Sequence, residues 1–225
     1  MSPTKLLSIV DDGSLEPLLR PIAEQRGLEV EVLPAGLGAE VLAALVAGDV
    51  VTASPGTVGV ELAALDAAAL NLWPRPQTSL VLADGATLLG ALEAAGFPIA
   101  PALAQTPGAL GTSIARRPDG EVATLTHVHR DTQGRWLRGP GGCDRTELDH
   151  AARLAKAIAD GIDLCGALTV ITGLKGCEVA VGAVVAFPDL GVLAPDPEWL
   201  EELADAHLAC IAGLDRLAGC ESGAW

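Results

Sequence analysis

Two histidines stand two positions apart in the run Leu125-Thr126-His127-Val128-His129-Arg130-Asp131. On an extended strand such positions share a face, so His127 and His129 point the same way. Asp131 keeps that parity if the strand reaches it. Imidazole changes charge near neutral pH, and a His pair beside a carboxylate suits general acid–base chemistry. His127, His129 and Asp131 are therefore the candidate catalytic residues. The pair with Cys143 also has the donor types of a zinc site, but a lone His-x-His is no motif and no metal is assigned. A purely structural pair would need no chemistry at all.

Arg116, Arg117, Arg130, Arg135 and Arg138 are five of the chain's 14 basic residues. Guanidinium groups bind carboxylate or phosphate bidentately. The cluster is either a solvated hairpin face with ordinary ion pairs or the wall of an anion-binding cleft. Arg130 has the opposite parity to the histidines and is expected outside their pocket unless a bulge intervenes. Arg135 is expected to join them from the neighbouring strand and hold a substrate carboxylate.

A second cluster, Asp11-Asp12-Gly13-Ser14-Leu15-Glu16, lies where a first strand ends. Dinucleotide loops need several glycines, whereas this one has a single glycine and three carboxylates, which repel phosphate. The acids either cap the following helix or hold a cationic or amine-bearing ligand. Asp11, Asp12 and Ser14 are assigned to substrate binding, with Ser54 and Thr57 from Ser54-Pro55-Gly56-Thr57 at the third strand end. Cys143 follows Gly141-Gly142. Arg145 and a helix N-terminus favour a reactive thiolate there, and Asp144 opposes one.

The elements that position these groups follow from hydrophobic patterning. Leu6 to Val10 is a short apolar run, the buried type of strand. Ser14 is placed to cap a helix running to Arg26, with Pro17 in its first turn and Gly27 at its end. Strands over 28–33 and 50–53, helices over 40–47 and 61–69, and a short strand at 71–73 continue the alternation. That order implies a small parallel sheet with helices on its faces, where ligands bind at strand carboxyl ends. A helix over 84–95 leads to a segment with Pro98, Pro101 and Pro107, read as a stiff connector. The stretch 113–138 is a meander of antiparallel strands. Its turns are Pro118-Asp119-Gly120 and Asp131-Thr132-Gln133-Gly134. A helix over 147–160, strands over 167–172 and 178–185, and a last helix from Pro197, capped by Asp196, complete the chain.

Half of the 225 residues are hydrophobic and 3% are aromatic, with a net charge of −15. The chain is long enough to bury a core. Its acidity and few aromatic rings argue against nucleic acid or an anionic membrane as partner. No apolar run reaches the roughly 18 residues of a membrane span, and the N-terminus does not read as a secretory signal. Five cysteines without a Cys-x-x-Cys pair read as free thiols of a cytoplasmic protein.

The order of these pieces also carries a resemblance. "SIARRPDGEVATLTHVHRD", an amphipathic helix, "GALTVITG" and "CEVAVGAVVAFPDLG" resemble the C-terminal part of ATP-grasp enzymes. Within them the chain resembles the carboxyaminoimidazole ribonucleotide synthase family, of purine biosynthesis. "GDVVTASPGTVGVELAAL" and "LVLADGATLLGALEAAGFPIAP" resemble that family's third strand, loop and helix and its approach to the nucleotide-binding region. The resemblance implies an ATP-binding subdomain between connector and meander, yet only Ala102 to Thr112 fill that gap. The family's Asp-Lys or Asp-Arg pair is Asp84-Gly85 here. Its magnesium carboxylates fall at Ile171 and Gly182-Ala183, which offer no oxygen ligand to a hard cation.

The resulting expectation is an α/β fold in four parts. Residues 1–76 form a Rossmann-like unit, 77–107 a helix and Pro-rich connector, 108–190 a reduced ATP-grasp-like unit, and 191–225 a C-terminal helix and tail. The expected function is an ATP-independent reaction of lyase, cyclase or isomerase type on a small metabolite. It would run without a cofactor, in the cleft inherited from the ATP-grasp ancestor, where His127–Asp131 face the N-terminal strand ends. The alternative is a non-catalytic relative that binds a metabolite or a partner subunit. Removal of the ATP-binding subdomain leaves apolar surface, so a homodimer is expected.

Overall fold

The structure, a computed structural model, describes residues 5–13, 15–53, 72–73, 85–116, 120–162, 166–176, 178–186 and 197–212. The expected helix over 61–69, Ser14, Ser54, Thr57, Arg117, the Pro118-Asp119 turn and the Asp196 cap lie outside them. Two sheets organise the described residues. Strand β1 (Leu6–Asp11) is central in the first, with Leu7, Ile9 and Val10 fully buried. Covered on both faces, such a strand has no reason to alternate. Helix α1 (Glu16–Gln25) follows and sends Leu19, Ile22 and Ala23 into the core. Strand β2 (Glu29–Pro34), helix α2 (Ala39–Leu45), β3 (Val50–Ala53) and β4 (Leu72–Trp73) complete this unit. The order is β2-β1-β3-β4 and every pair is parallel.

Helix α3 (Gly85–Ala94) leads into the connector. The connector is not a free spacer. Val181 N–H donates to Pro98 O at 2.8 Å, and Ala100 N–H donates to Val181 O at 2.9 Å. Residues 98–100 thus lie along the edge of the second sheet before a single 3-10 turn, Pro101–Gln105.

The second sheet is antiparallel, in the order β7-β6-β5-β8-β9. Its members are β5 (Leu110–Arg116), β6 (Val122–Arg130), β7 (Trp136–Arg138), β8 (Ala167–Lys175) and β9 (Glu178–Ala186). Helix α4 (Arg145–Gly161) joins β7 to β8. It starts ahead of Glu147 because Asp144 and Glu147 form a capping box, each side chain accepting the other's backbone N–H.

Helix α5 (Pro197–Ile211) welds the two sheets together. Toward the parallel sheet, Arg26 of α1 pairs with Asp205 at 2.6 Å, and buried His207 Nε2 meets Thr52 Oγ1 of β3 at 3.2 Å. Lys5 Nζ donates to Ala212 O at 2.6 Å, just past the helix end. Toward the antiparallel sheet, the Trp199 indole N–H donates to Ser113 Oγ at 3.0 Å, and Ser113 Oγ lies 2.9 Å from Thr169 Oγ1. Among the described residues Trp199 is the bulkiest fully buried side chain, and its polar edge is satisfied where it enters the core.

Candidate functional site

Sheet register fixes which side the histidines take. His127 stands opposite Thr112 and His129 opposite Leu110, while Ser113 stands opposite Thr126 and Gly111 opposite Val128. Neighbouring residues on a strand point to opposite faces. Ser113 receives Trp199 of α5, so α5 and, through it, the parallel sheet lie on the Ser113 face. His127 and His129 stand on the other face, which carries α4. The guanidinium of Arg116 on that side reaches Ala159 O at 3.4 Å and Asp160 at 3.1 Å. The β-bulge between Ser113 and Ile114 lies beyond this stretch and leaves the parity intact. The expectation that His127–Asp131 look across at Asp11 and Asp12 is therefore corrected: the strand turns the histidines away from α5 and the first sheet.

Both imidazoles are tethered through Nδ1. His127 Nδ1 lies 3.2 Å from Oγ1 of buried Thr112. Burial pushes the His127 pKa below the ordinary imidazole value, because desolvation disfavours the cation. His129 Nδ1 lies 3.1 Å from Gly139 O. A carbonyl only accepts, so Nδ1 carries the proton and, in the neutral ring, Nε2 presents the lone pair. The loop that provides Gly139 is stitched to the same strand, since Gly139 N–H donates to His127 O at 2.8 Å.

Asp131 and Arg135 belong to the hairpin turn instead. Asp131 Oδ1 accepts the N–H groups of Gln133 and Arg135 at 2.8 Å, and Oδ2 accepts from Arg135 Nε at 2.9 Å. These bonds hold the Asp131 carboxyl below its usual pKa, with the Arg135 backbone N–H as the largest cause. β6 ends at Arg130, so the parity argument does not extend to Asp131. Arg135 precedes β7 and pairs with Asp131 rather than standing beside the histidines.

The other arginines are engaged as well. Arg130 donates to Ala104 O at 3.0 Å, Gln105 Oε1 at 2.6 Å and Gly134 O at 3.1 Å, clamping connector to hairpin. As expected from its parity, it stays on the face opposite His127 and His129. Arg138 pairs with Glu198 and Glu202 of α5. Among the described arginines of the cluster, each holds protein carbonyls or carboxylates, which favours the ion-paired reading over an anion-binding wall.

Asp11 is 5% exposed and accepts Leu15 N–H at 2.9 Å and Glu16 N–H at 2.8 Å. It thus satisfies two backbone N–H groups where α1 begins, while the capping expected of Ser14 lies outside the described residues. Asp12 is exposed beside it. The Cys143 thiol is pushed up by burial, then by Glu147 and Asp144, so the capping box opposes a reactive thiolate. Thr112, Gly139 and Gly141 were not singled out for a site by sequence. The signal for the last two was present in Gly139-Pro140-Gly141-Gly142, three glycines in four positions directly after a strand.

Magnesium and ATP would need oxygen ligands at Ile171 and Gly182-Ala183, where the resemblance implies carboxylates. Ile171 and Ala183 pair with each other, and Ile171 pairs with Gly111, so all three share the Ser113 face. That face carries α5 and the 3-10 turn. Ile171 is 1% exposed. A Cβ at Gly182 would lie 2.7 Å from Ala104 N, and one at Gly173 would lie 3.1 Å from Leu103 Cβ. Among the described residues no three His, Cys, Asp or Glu side chains cluster as metal ligands. The residues present do not fit the group.

No protein-family model matches the sequence, and no curated protein matches it. Solved structures match its fold. N5-carboxyaminoimidazole ribonucleotide synthetase from Thermotoga maritima aligns with a TM-score of 0.75 at 16% identity, over 95% of this chain and 77% of that one. Carboxyaminoimidazole ribonucleotide synthase from Aspergillus clavatus, complexed with ATP, gives 0.73 at 15% identity, over 94% and 78%. Glycinamide-RNase-transformylase T from Mycobacterium tuberculosis gives 0.70 at 17% identity, over 94% and 80%. The α/β architecture of a parallel sheet followed by an antiparallel one is thus the fold of the carboxyaminoimidazole ribonucleotide synthases, the ATP-grasp architecture that the sequence resembles.

Proposed function

We propose that the chain is a degenerate relative of the ATP-grasp enzymes that acts on a small metabolite without ATP, with His127 and His129 as its proton-transfer pair. The observation that carries this reading is the Nδ1 tether of both rings. Two imidazoles held by one nitrogen on one strand face keep the other nitrogen for a substrate proton, the preorganisation general acid–base catalysis needs. Lyase, cyclase and isomerase reactions share such proton movements and need no phosphoryl donor. The filled Ser113 face supports ATP independence. A specialised-metabolism setting in the cytoplasm fits this reading. So does a homodimer, for which Val41 and Leu45, four apart on α2, are 46% and 50% exposed.

The test is to incubate the protein with a small-molecule extract, with and without magnesium-ATP, and follow metabolites by mass spectrometry. A compound consumed without ATP by the wild type, and spared by the His127→Ala, His129→Ala protein, is the expected result. Consumption that requires ATP would overturn the reading. Light scattering at micromolar concentration tests the dimer.

A second reading, a non-catalytic binder of a metabolite or partner subunit, has its own support. Asp11, Asp131 and the described arginines of the cluster are engaged within the protein. Retention of an extract compound on the immobilised protein without any turnover distinguishes it.

A further inference from the structure

Gly141 sits directly against the ring of His129. A Cβ added at position 141 would lie 2.7 Å from His129 Cγ, 2.9 Å from Cδ2 and 3.0 Å from Cβ. No side chain fits there unless the imidazole moves. The backbone at Gly141 is also left-handed, with φ of 64°, a region that L side chains rarely adopt. Two positions earlier, Gly139 accepts the Nδ1 proton of the same ring through its carbonyl. Its own N–H is bonded to His127 O, so that carbonyl is fixed relative to β6. Gly142, next in the loop, has open space where its Cβ would be. The close approach is therefore specific to position 141 and not a property of the whole loop.

We infer that Gly141 is a positioning residue: the Gly139–Gly141 loop seats the His129 ring so that Gly139 O holds the proton on Nδ1 and Nε2 stays the basic nitrogen. The inference deepens the proposed function and rests on it for its catalytic meaning, while the seating itself is a matter of geometry. An imidazole without this seat rotates about χ1 and χ2 and exchanges between tautomers, so only a fraction of molecules would present the basic nitrogen in one direction. With no side chain of its own, Gly141 acts through the His129 ring it lies against.

The decisive measurement is the tautomer of His129, read from long-range 1H–15N correlation spectra of full-length protein above pH 7.5. In the wild type, Nδ1 of His129 should give the shift of a protonated ring nitrogen and Nε2 that of a bare one. In Gly141→Ala the two shifts should move toward the averaged values of a mobile ring, while Gly142→Ala should leave them as in the wild type. A wild-type ring carrying its proton on Nε2 overturns the inference, and this outcome does not depend on any variant folding. Unchanged His129 shifts in a folded Gly141→Ala protein overturn it as well. If the shifts behave as expected but no metabolite is consumed, the seating stands and the proposed function fails.

Discussion

Gly182 and Ala104 touch so closely that position 182 has room only for hydrogen. An added Cβ would lie 2.7 Å from Ala104 N and 3.1 Å from Ala104 Cβ. Gly182 is also the residue skipped at the β8–β9 irregularity, where Ile171 pairs with Ala183 and Thr172 with Val181. The short connector that stands where the resemblance places an ATP-binding subdomain is thus packed onto the strand that would bear a metal carboxylate.

Two outcomes follow from that contact. Calorimetric titration with magnesium and ATP should give no binding heat, and micromolar affinity would contradict it. Gly182→Asp should not restore a metal site. It should lower stability by about 2–4 kcal/mol, since it overpacks a closed contact and desolvates a carboxylate. Urea denaturation reads the loss, and an unchanged midpoint would mean that the connector lifts off easily.

Arg130 should matter to stability out of proportion to its place near a surface turn. Its guanidinium joins Ala104 O, Gln105 Oε1 and Gly134 O, and its backbone pairs with Gly108 and Ala109. Arg130→Ala removes the clamp and leaves carbonyls unpaired, at a cost of about 2–3 kcal/mol. Arg130→Lys should recover little of it, because one ammonium cannot span a fork of three acceptors. Equal midpoints for the lysine variant and the wild type would show that charge alone suffices.

Acid should loosen α5 through His207. Complete burial lowers its pKa to about 3, and burial also lowers that of His127. A histidine depressed in the folded state binds its proton more readily when unfolded. The folded form then suffers no penalty above the unfolded value near 6.5, and stability falls as pH drops below it. The slope from His207 alone is about 1.4 kcal/mol per pH unit. Between pH 6.5 and 5, before most carboxylates titrate, the wild type should therefore lose about 2 kcal/mol. His207→Gln should be less stable at pH 7.5 but show a shallower slope. An identical slope would place the acid sensitivity elsewhere.

Much of this architecture was legible because burial and alternation write directly into sequence. The apolar run at Leu6–Val10, the Val50–Ala53 strand and the turn at Asp131–Gly134 stand where patterning puts them. The site was less legible, because type and spacing do not reveal who answers a polar group. Asp11 reads as a free carboxylate until the α1 N-terminus folds back onto it. Asp131 and Arg135 read as partners of a histidine, yet they are four apart across a tight turn and find each other first. The facing of His127 depends on α5, a helix some seventy residues further along, choosing the Ser113 side. No local pattern carries that choice.

The His127→Ala, His129→Ala protein decides between catalysis and scaffolding. His127 is half-buried and shares a hydrogen bond with Thr112, while His129 rests on an exposed loop. The double substitution removes two modest hydrogen bonds, each worth about 1 kcal/mol. Cooperative unfolding and an unchanged far-ultraviolet spectrum are expected. If the rings move protons, turnover should fall at least about 100-fold, and His129→Ala alone should account for most of it. The pH profile adds a signature that a structural pair would not give. Burial keeps His127 neutral to lower pH than a free imidazole, so where it serves as base the acid limb of kcat/KM should fall below pH 6.5. A folded double variant with full turnover would make the pair structural and place the chemistry elsewhere.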